Sequence, residues 1–193
     1  MATEKFERSF IRDLQDAFDA SNGEWIEESK EYTFTKVSGE MFRWMQRNLS
    51  DDVYRAWCPG PHRSYKSIEF YDVPGEVVEE ACAPYGAAKL LLRHPKPETT
   101  AFGDSIKAPL NRVSYAECID LNGRILFKIL HEFFPTPEGG VIMKNRYHLP
   151  KATPDIALQA FLNHQDEEYD INDILPALFK EKTWMVNEVC AVD

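Results

Sequence analysis

Asn122-Gly123 stands between two runs of alternating apolar and polar residues, 111–121 and 124–134, and this constrains the fold more than any other feature. Asn-Gly accepts the positive φ angles of a two-residue turn whose twist matches the flanking strands, which makes it the strongest short-range hairpin signal. A further turn over residues 136–140 leads into a third run, residues 141–149. Three antiparallel strands in series form a meander.

A helix follows directly, over residues 153–182. Thr153 can cap it, Pro154 suits the first helical position, and Asp155 complements the amino-terminal dipole. Within it His164 and Glu168 stand four residues apart, so their side chains leave one face, one turn apart. An imidazole and a carboxylate at that spacing can share a metal ion or a proton. The neighbouring Asp166, Glu167 and Asp170 read as solvent-facing, and a plain solvated face accounts for the pair as well.

Upstream, Phe6, Phe10, Leu14, Ala17 and Phe18 recur at helical spacing over residues 4–20, and Asn22-Gly23 ends that helix. Residues 24–36 alternate and carry Tyr32, Thr33, Phe34 and Thr35, a strand pattern. Ser38 caps a second helix with Phe42, Trp44 and Leu49, and Ser50-Asp51-Asp52 starts a short third one carrying Val53, Tyr54 and Trp57. Pro59-Gly60-Pro61 stops it. Strand-like runs follow at residues 67–71, 76–83 and 87–93, with Pro84-Tyr85-Gly86 turning the chain between the last two. Residues 95–109 hold three prolines and read as a long surface loop in the position of a lid.

The order is helix, strand, two short helices, an antiparallel sheet of about six strands, and a long carboxy-terminal helix. A curved sheet wrapped around such a helix encloses one apolar cavity. That is an α+β arrangement of the helix-grip type, in a single domain over residues 1–193, suited to a bulky organic ligand.

Composition narrows the partners. The net charge of −10 argues against nucleic acid or an anionic membrane surface. No run approaches the roughly 20 apolar residues that span a bilayer, and the amino terminus lacks the apolar core of a secretory signal. Cys58, Cys82, Cys118 and Cys190 show no CxxC spacing, as expected of reduced cysteines in a cytoplasmic protein. The apolar tail over residues 184–193 is able to dock back on the domain or to meet a partner.

Chemistry concentrates around Tyr54-Arg55-Ala56-Trp57-Cys58-Pro59-Gly60-Pro61-His62. A histidine fixed behind two prolines loses little entropy in holding one orientation, as a ligand or base requires. An ordinary surface-loop histidine is the plain alternative. Two histidines and a carboxylate from separate elements, here His62, His164 and Glu168, are a standard set for zinc with an open coordination position. His94 reads as a strand-end surface residue. His148 faces the opposite side of its strand from Tyr147, so at most one of the two lines a cavity.

The stretch RWMQRNLSDDVYRAWCPGPH resembles the Trp-rich segment of the diacetylphloroglucinol hydrolase family, which ends in Tyr-x-x-Trp-x-Pro-x-x-His. His164 to Glu168, followed by Leu175-Pro176-Ala177-Leu178-Phe179, is similar to that family's closing motif. A third likeness joins His131 to Pro137-Glu138-Gly139-Gly140 and Lys144-Asn145-Arg146-Tyr147. The resemblance covers about residues 40–182. It implies a helix-grip, Bet v 1-like fold and a zinc ion held by two histidines and two glutamates. By the motif match His62, His164 and Glu168 are three of the ligands. The fourth is a strand glutamate, Glu80, with Glu79 as the alternative, since adjacent strand residues face opposite ways.

The same resemblance implies hydrolysis of the carbon–carbon bond between an aromatic ring and an acyl group. Tyr54 would bind a phenolic oxygen, while His131 and Tyr147 would orient the substrate or move protons. Core packing accounts equally well for Tyr54, and an ordinary strand position for Tyr147. The chain departs from the family at Cys58, where histidine or tyrosine is frequent, and at Lys144-Asn145-Arg146, where the family has Arg-Ser-Arg. Two other readings stand beside the hydrolase: a cyclase or isomerase of polyketide-derived substrates on the same fold, and a non-catalytic carrier of hydrophobic ligands. The oligomeric state stays open, although the family often forms a homodimer.

Overall fold

The computed structural model describes residues 9–70 and 72–189, with side chains through residue 182. Its strands are β1 (Trp25–Phe34), β2 (His62–Phe70), β3 (Val73–Ala81), β4 (Ala87–Arg93), β5 (Val113–Ile119), β6 (Ile125–Pro135) and β7 (Val141–Pro150). All neighbours pair antiparallel in one sheet, in the order β1-β7-β6-β5-β4-β3-β2. The sheet therefore has seven strands rather than the expected six or so, because the early strand β1 returns to pair with β7. Gly123 takes a φ of 77° in the β5–β6 turn, as the Asn-Gly pair forecast, but Asn122 does not take a positive φ. The loop spans three residues, closed by the Asp120 amide on the Arg124 carbonyl at 3.0 Å.

Consecutive strands β1 and β2 lie at opposite edges, so the chain between them must cross a face of the sheet. It does so through α2 (Gly39–Arg47) and α3 (Asp51–Trp57). Each starts on a serine cap: Ser38 accepts from the Met41 amide at 3.3 Å, and Ser50 accepts from the Val53 amide at 3.4 Å. Phe42, Met45, Val53 and Tyr54 point inward. At the far end of the sheet α1 (Phe10–Ala20) buries Phe10, Leu14 and Ala17. Asp13 on its inner face accepts from the Tyr85 hydroxyl at 2.6 Å.

The expected continuous helix over residues 153–182 is two helices, α4 (Asp155–Glu168) and α5 (Ile174–Val189). The break has identifiable causes. Tyr169 and Ile171 are both buried, which a single helical face cannot achieve for residues two apart. The Asn172 side-chain oxygen accepts from the Thr35 and Lys36 amides at 3.0 and 3.3 Å, tying the kink to the end of β1. At the start of α4, Pro154 rather than Thr153 occupies the cap, and the Thr153 hydroxyl donates back to the Pro150 carbonyl at 2.7 Å. Small residues Ala157 and Ala160 bring α4 close to the sheet, and Phe161 packs edge-on against Tyr147 at 5.1 Å between ring centres.

Residues 95–109 are not a free lid. They fold into short 3-10 turns that place Phe102 against Tyr115 and Leu130 on the sheet face opposite α4. Glu132 holds them there by accepting from the Lys107 and Ala108 amides at 2.5 and 2.9 Å. Residues 4–8 of the expected first helix, Tyr71 at the end of an expected strand, and Cys190 lie outside the described residues, as do the side chains of the apolar tail. Among the described residues no helix is long and apolar enough to cross a membrane.

Candidate functional site

The turn after α3 positions the first functional side chain. Gly60 takes a φ of 101°, and the His62 amide closes the turn on the Cys58 carbonyl at 3.1 Å. His62 was expected on a loop. Instead it opens β2 and is 3 % exposed. Its ring stacks on Tyr54 at 3.9 Å and meets the edge of Trp57 at 5.0 Å. Its Nδ1 lies 3.0 Å from the Tyr54 carbonyl oxygen, which can only accept, so Nδ1 carries the proton and the lone pair sits on Nε2. That Nε2 is buried and has no hydrogen-bond partner.

The β2–β3 register puts His62 directly opposite Glu80. Cross-strand partners share a face, so Glu80 points inward and the neighbouring Glu79, paired with Ser64, does not. One Glu80 oxygen accepts a hydrogen bond from the Tyr54 hydroxyl. The other lies 3.2 Å from Nε2 of His164.

Helix α4 supplies the remaining members. Ala157, Ala160, Phe161, His164, Gln165 and Glu168 make the inward stripe expected of period 3.6. The Trp57 indole donates to the Glu168 carbonyl at 2.8 Å, pinning the helix end to α3. Gln165 donates to one Glu168 oxygen at 2.8 Å. Ligand atoms of His62, His164 and Glu168 all lie within 4.8 Å of one another, the spacing at which three groups can share an ion. Neither ring nitrogen of His164 makes a well-formed hydrogen bond, its approach to Glu80 being off-axis.

The electrostatics are those of a site short of positive charge. Burial pushes His62 down to about 4, so its imidazole is neutral. Burial also opposes charge on His164, but the Glu80 carboxylate, with Glu168 and Glu167 behind it, outweighs that and raises the imidazole to about 9. Glu80 is held below the usual carboxylate range because His164 overcomes its burial. Glu168 is pushed up, by burial and by the Glu80 charge.

These groups form one end of a cavity of about 560 Å³ between the sheet and helices α2–α4. Leu90, Leu92, Ile129 and Phe133 give it apolar walls, and the exposed Gln46, Ser67 and Lys96 mark its mouth. His131 lines the wall opposite the buried cluster. Its Nδ1 lies 2.8 Å from the Asn145 oxygen, and its Nε2 lies 3.2 Å from the Tyr169 hydroxyl. Asn145 in turn donates to the Tyr147 hydroxyl at 2.8 Å.

The structure therefore brings together Tyr54, His62, Glu80, His164 and Glu168, with His131 across the cavity. Tyr147 does not join them: it is fully buried behind the wall and acts on His131 only through Asn145. His148 lies on the opposite face, ring to ring with Phe102 at 4.1 Å. His94, at the end of β4 as expected and only partly exposed, also lines the cavity beside Glu76. Sequence reasoning also missed Tyr169 and Gln165. Gln165 follows His164 and Tyr169 follows Glu168 in sequence, and the direction of Tyr169 depends on where α4 ends.

No protein-family model matches the chain, and no curated protein matches it. Solved structures do. Ara h 8.0201 superposes with a TM-score of 0.55 at 10% identity, over 80% of this chain and 99% of that one. The aromatase/cyclase ZhuI from Streptomyces sp. R1128 gives 0.53 at 10%, over 80% and 93%. A protein of unknown function from Staphylococcus aureus, SA2116, gives 0.53 at 12%, over 81% and 97%. At such identities the likeness shows the fold alone. The chain has the helix-grip, Bet v 1-like α+β fold.

Proposed function

We propose that the chain is a zinc-dependent hydrolase that cleaves the carbon–carbon bond between a phenolic ring and its acyl substituent. The observation that carries this reading is the buried Nε2 of His62, which has no hydrogen-bond partner, beside His164 and Glu168 at the end of an apolar cavity. A buried polar atom without a partner costs about 1–3 kcal/mol, and a cation shared among these groups removes that cost. The donor set of two imidazoles and carboxylates suits zinc, with His62, His164 and Glu168 as ligands and Glu80 alongside. When bound, zinc supplies a Lewis acid for a ketone oxygen and lowers the pKa of a bound water toward neutral.

The protein's own groups do the rest. The apolar walls take the ring and acyl chain and exclude bulk water. The Tyr54 hydroxyl, kept un-ionised by burial and by Glu80 and with its one proton directed to Glu80, offers its oxygen to a phenolic O–H on the ring. His131, neutral and held by Asn145, accepts from the Tyr169 hydroxyl at Nε2, and this leaves the Tyr169 oxygen with a free lone pair for orienting the substrate. Water adds its oxygen to the acyl carbon and one proton to the ring carbon. The bond between them breaks, and the products are the free phenol and a carboxylic acid.

The ZhuI likeness favours a second reading on the same cavity, a cyclase or isomerase acting on a polyketide-derived chain. Elemental analysis separates the two first. About one zinc per chain is expected, lost in His164→Ala, and a folded protein that never holds metal sinks the hydrolase. Release of free acid from a panel of acylated phenols then distinguishes hydrolysis from ring closure.

A further inference from the structure

The cavity has a second polar end that the proposed chemistry does not use. Glu76 and Glu80 both line the cavity from β3 and stand four residues apart, so their backbones are separated by about 13 Å along the strand. Glu76 is mostly buried and lies 3.4 Å from Nε2 of His94. The other His94 nitrogen, Nδ1, donates to the Tyr115 carbonyl at 3.1 Å, which aims Nε2 at Glu76. Tyr65 lies beside the same carboxylate, which together with burial suppresses its ionisation, and the cavity-lining Ser67 follows on the same strand face. Between the two ends the lining is apolar: Leu90, Leu92, Ala116 and Ile129.

We propose that Glu76, His94, Tyr65 and Ser67 form a distal subsite that binds a hydroxyl group at the far end of an elongated aromatic or polyketide-derived ligand. The proposal rests on the reading above for which end of the ligand reacts. Glu76 accepts a hydrogen bond from the hydroxyl, and the imidazolium form of His94, which the Glu76 carboxylate beside it favours, donates from Nε2 to the same oxygen. A neutral hydroxyl uses both, whereas a ligand carboxylate meets the Glu76 charge. The spacing selects length: a one-ring acylphenol reaches only one end, and a two-ring ketone spans both.

The test uses full-length protein and two probes, a two-ring aryl ketone with a para-hydroxyl on its far ring and the same ketone with that ring unsubstituted. Binding is followed by calorimetry, without turnover. A charge-assisted hydrogen bond is worth about tenfold in affinity, so the wild type should prefer the hydroxylated probe by about that factor. Glu76→Ala and His94→Ala should bring the ratio near one while affinity for the plain probe and the zinc content stay unchanged. Glu76→Gln, which keeps an acceptor and the volume, should retain part of the preference and guards against a folding artefact. Equal affinities in the wild type, failure of either probe to bind, or a preference that survives Glu76→Ala overturns the subsite. A preserved preference in a protein without zinc or hydrolysis leaves the subsite standing and removes only the hydrolase.

Discussion

His131 shows how a single side chain is prepared for a role before any ligand arrives. The Asn145 amide fixes its tautomer, since the amide nitrogen is committed to Tyr147 and only the oxygen faces the ring. Burial then pushes the imidazole down to about 4, well below the ordinary value near 6.5. The linkage has a definite sign. Between pH 6.5 and 4 the unfolded chain takes up a proton at this residue and the folded chain does not, so the fold loses stability as pH falls through that window. His131→Gln should abolish this component. Urea titrations at pH 7 and 4.5 should show the wild type losing on the order of 2 kcal/mol more than the variant. Parallel losses would mean that His131 is solvated and free to charge.

The residues that sequence brought together were those whose partners are local or in register. Tyr54 and His62 sit on one short rigid unit, and His164 and Glu168 on one helix turn. The resemblance alone prefers Glu80 to Glu79, and the pairing opposite His62 is what shows Glu80 to be the one facing inward. His94 looked exposed because it ends a strand before a proline, and only the β3–β4–β5 arrangement shows that it faces inward.

Elements were legible where their signals are punctual and obscure where tertiary contacts overrule them. The hairpin at Asn-Gly and the serine caps appear where expected. The break between α4 and α5 does not announce itself, because its cause is the capture of Asn172 by backbone amides at the end of β1, 137 and 136 residues away. The segment over residues 95–109 was misplaced for a similar reason: its anchor, Glu132, is a strand residue only 4 % exposed. Glu132 serves two backbone amides, and Arg146 lies 3.4 Å from its second oxygen. Glu132→Ala leaves two amides without an acceptor, at about 1–3 kcal/mol each if they stay buried, so the segment should detach locally rather than bear that cost. Limited proteolysis should then cut within residues 97–112 many times faster than in the wild type, with zinc content unchanged. Global unfolding, or no new cut, would assign Glu132 a different role.

At the scale of the whole molecule the charges bear on what the cavity end can hold. The chain carries −10 overall, and two of its carboxylates, Glu80 and Glu168, converge with two imidazoles in a buried space. Without a metal, protons must supply the missing positive charge there, which is why His164 is raised and Glu168 is pushed toward its neutral form. A divalent cation at the proposed site would replace those protons and join β2, β3 and α4 through one point, so its binding free energy would become folding free energy. At zinc a thousandfold above Kd the native state gains about 4 kcal/mol, and for a chain of this length each kcal/mol moves Tm by about 2–4 °C. Chelator-stripped protein should therefore melt roughly 10 °C higher after zinc is restored, less whatever zinc the unfolded histidines retain. Chelator should reverse the shift, and His164→Ala should erase it. Magnesium should not reproduce it, because a site with two imidazoles suits a softer ion. A melting temperature indifferent to zinc would mean that the buried histidines are held by protein contacts alone, and the cavity would then be that of a carrier or a metal-free cyclase.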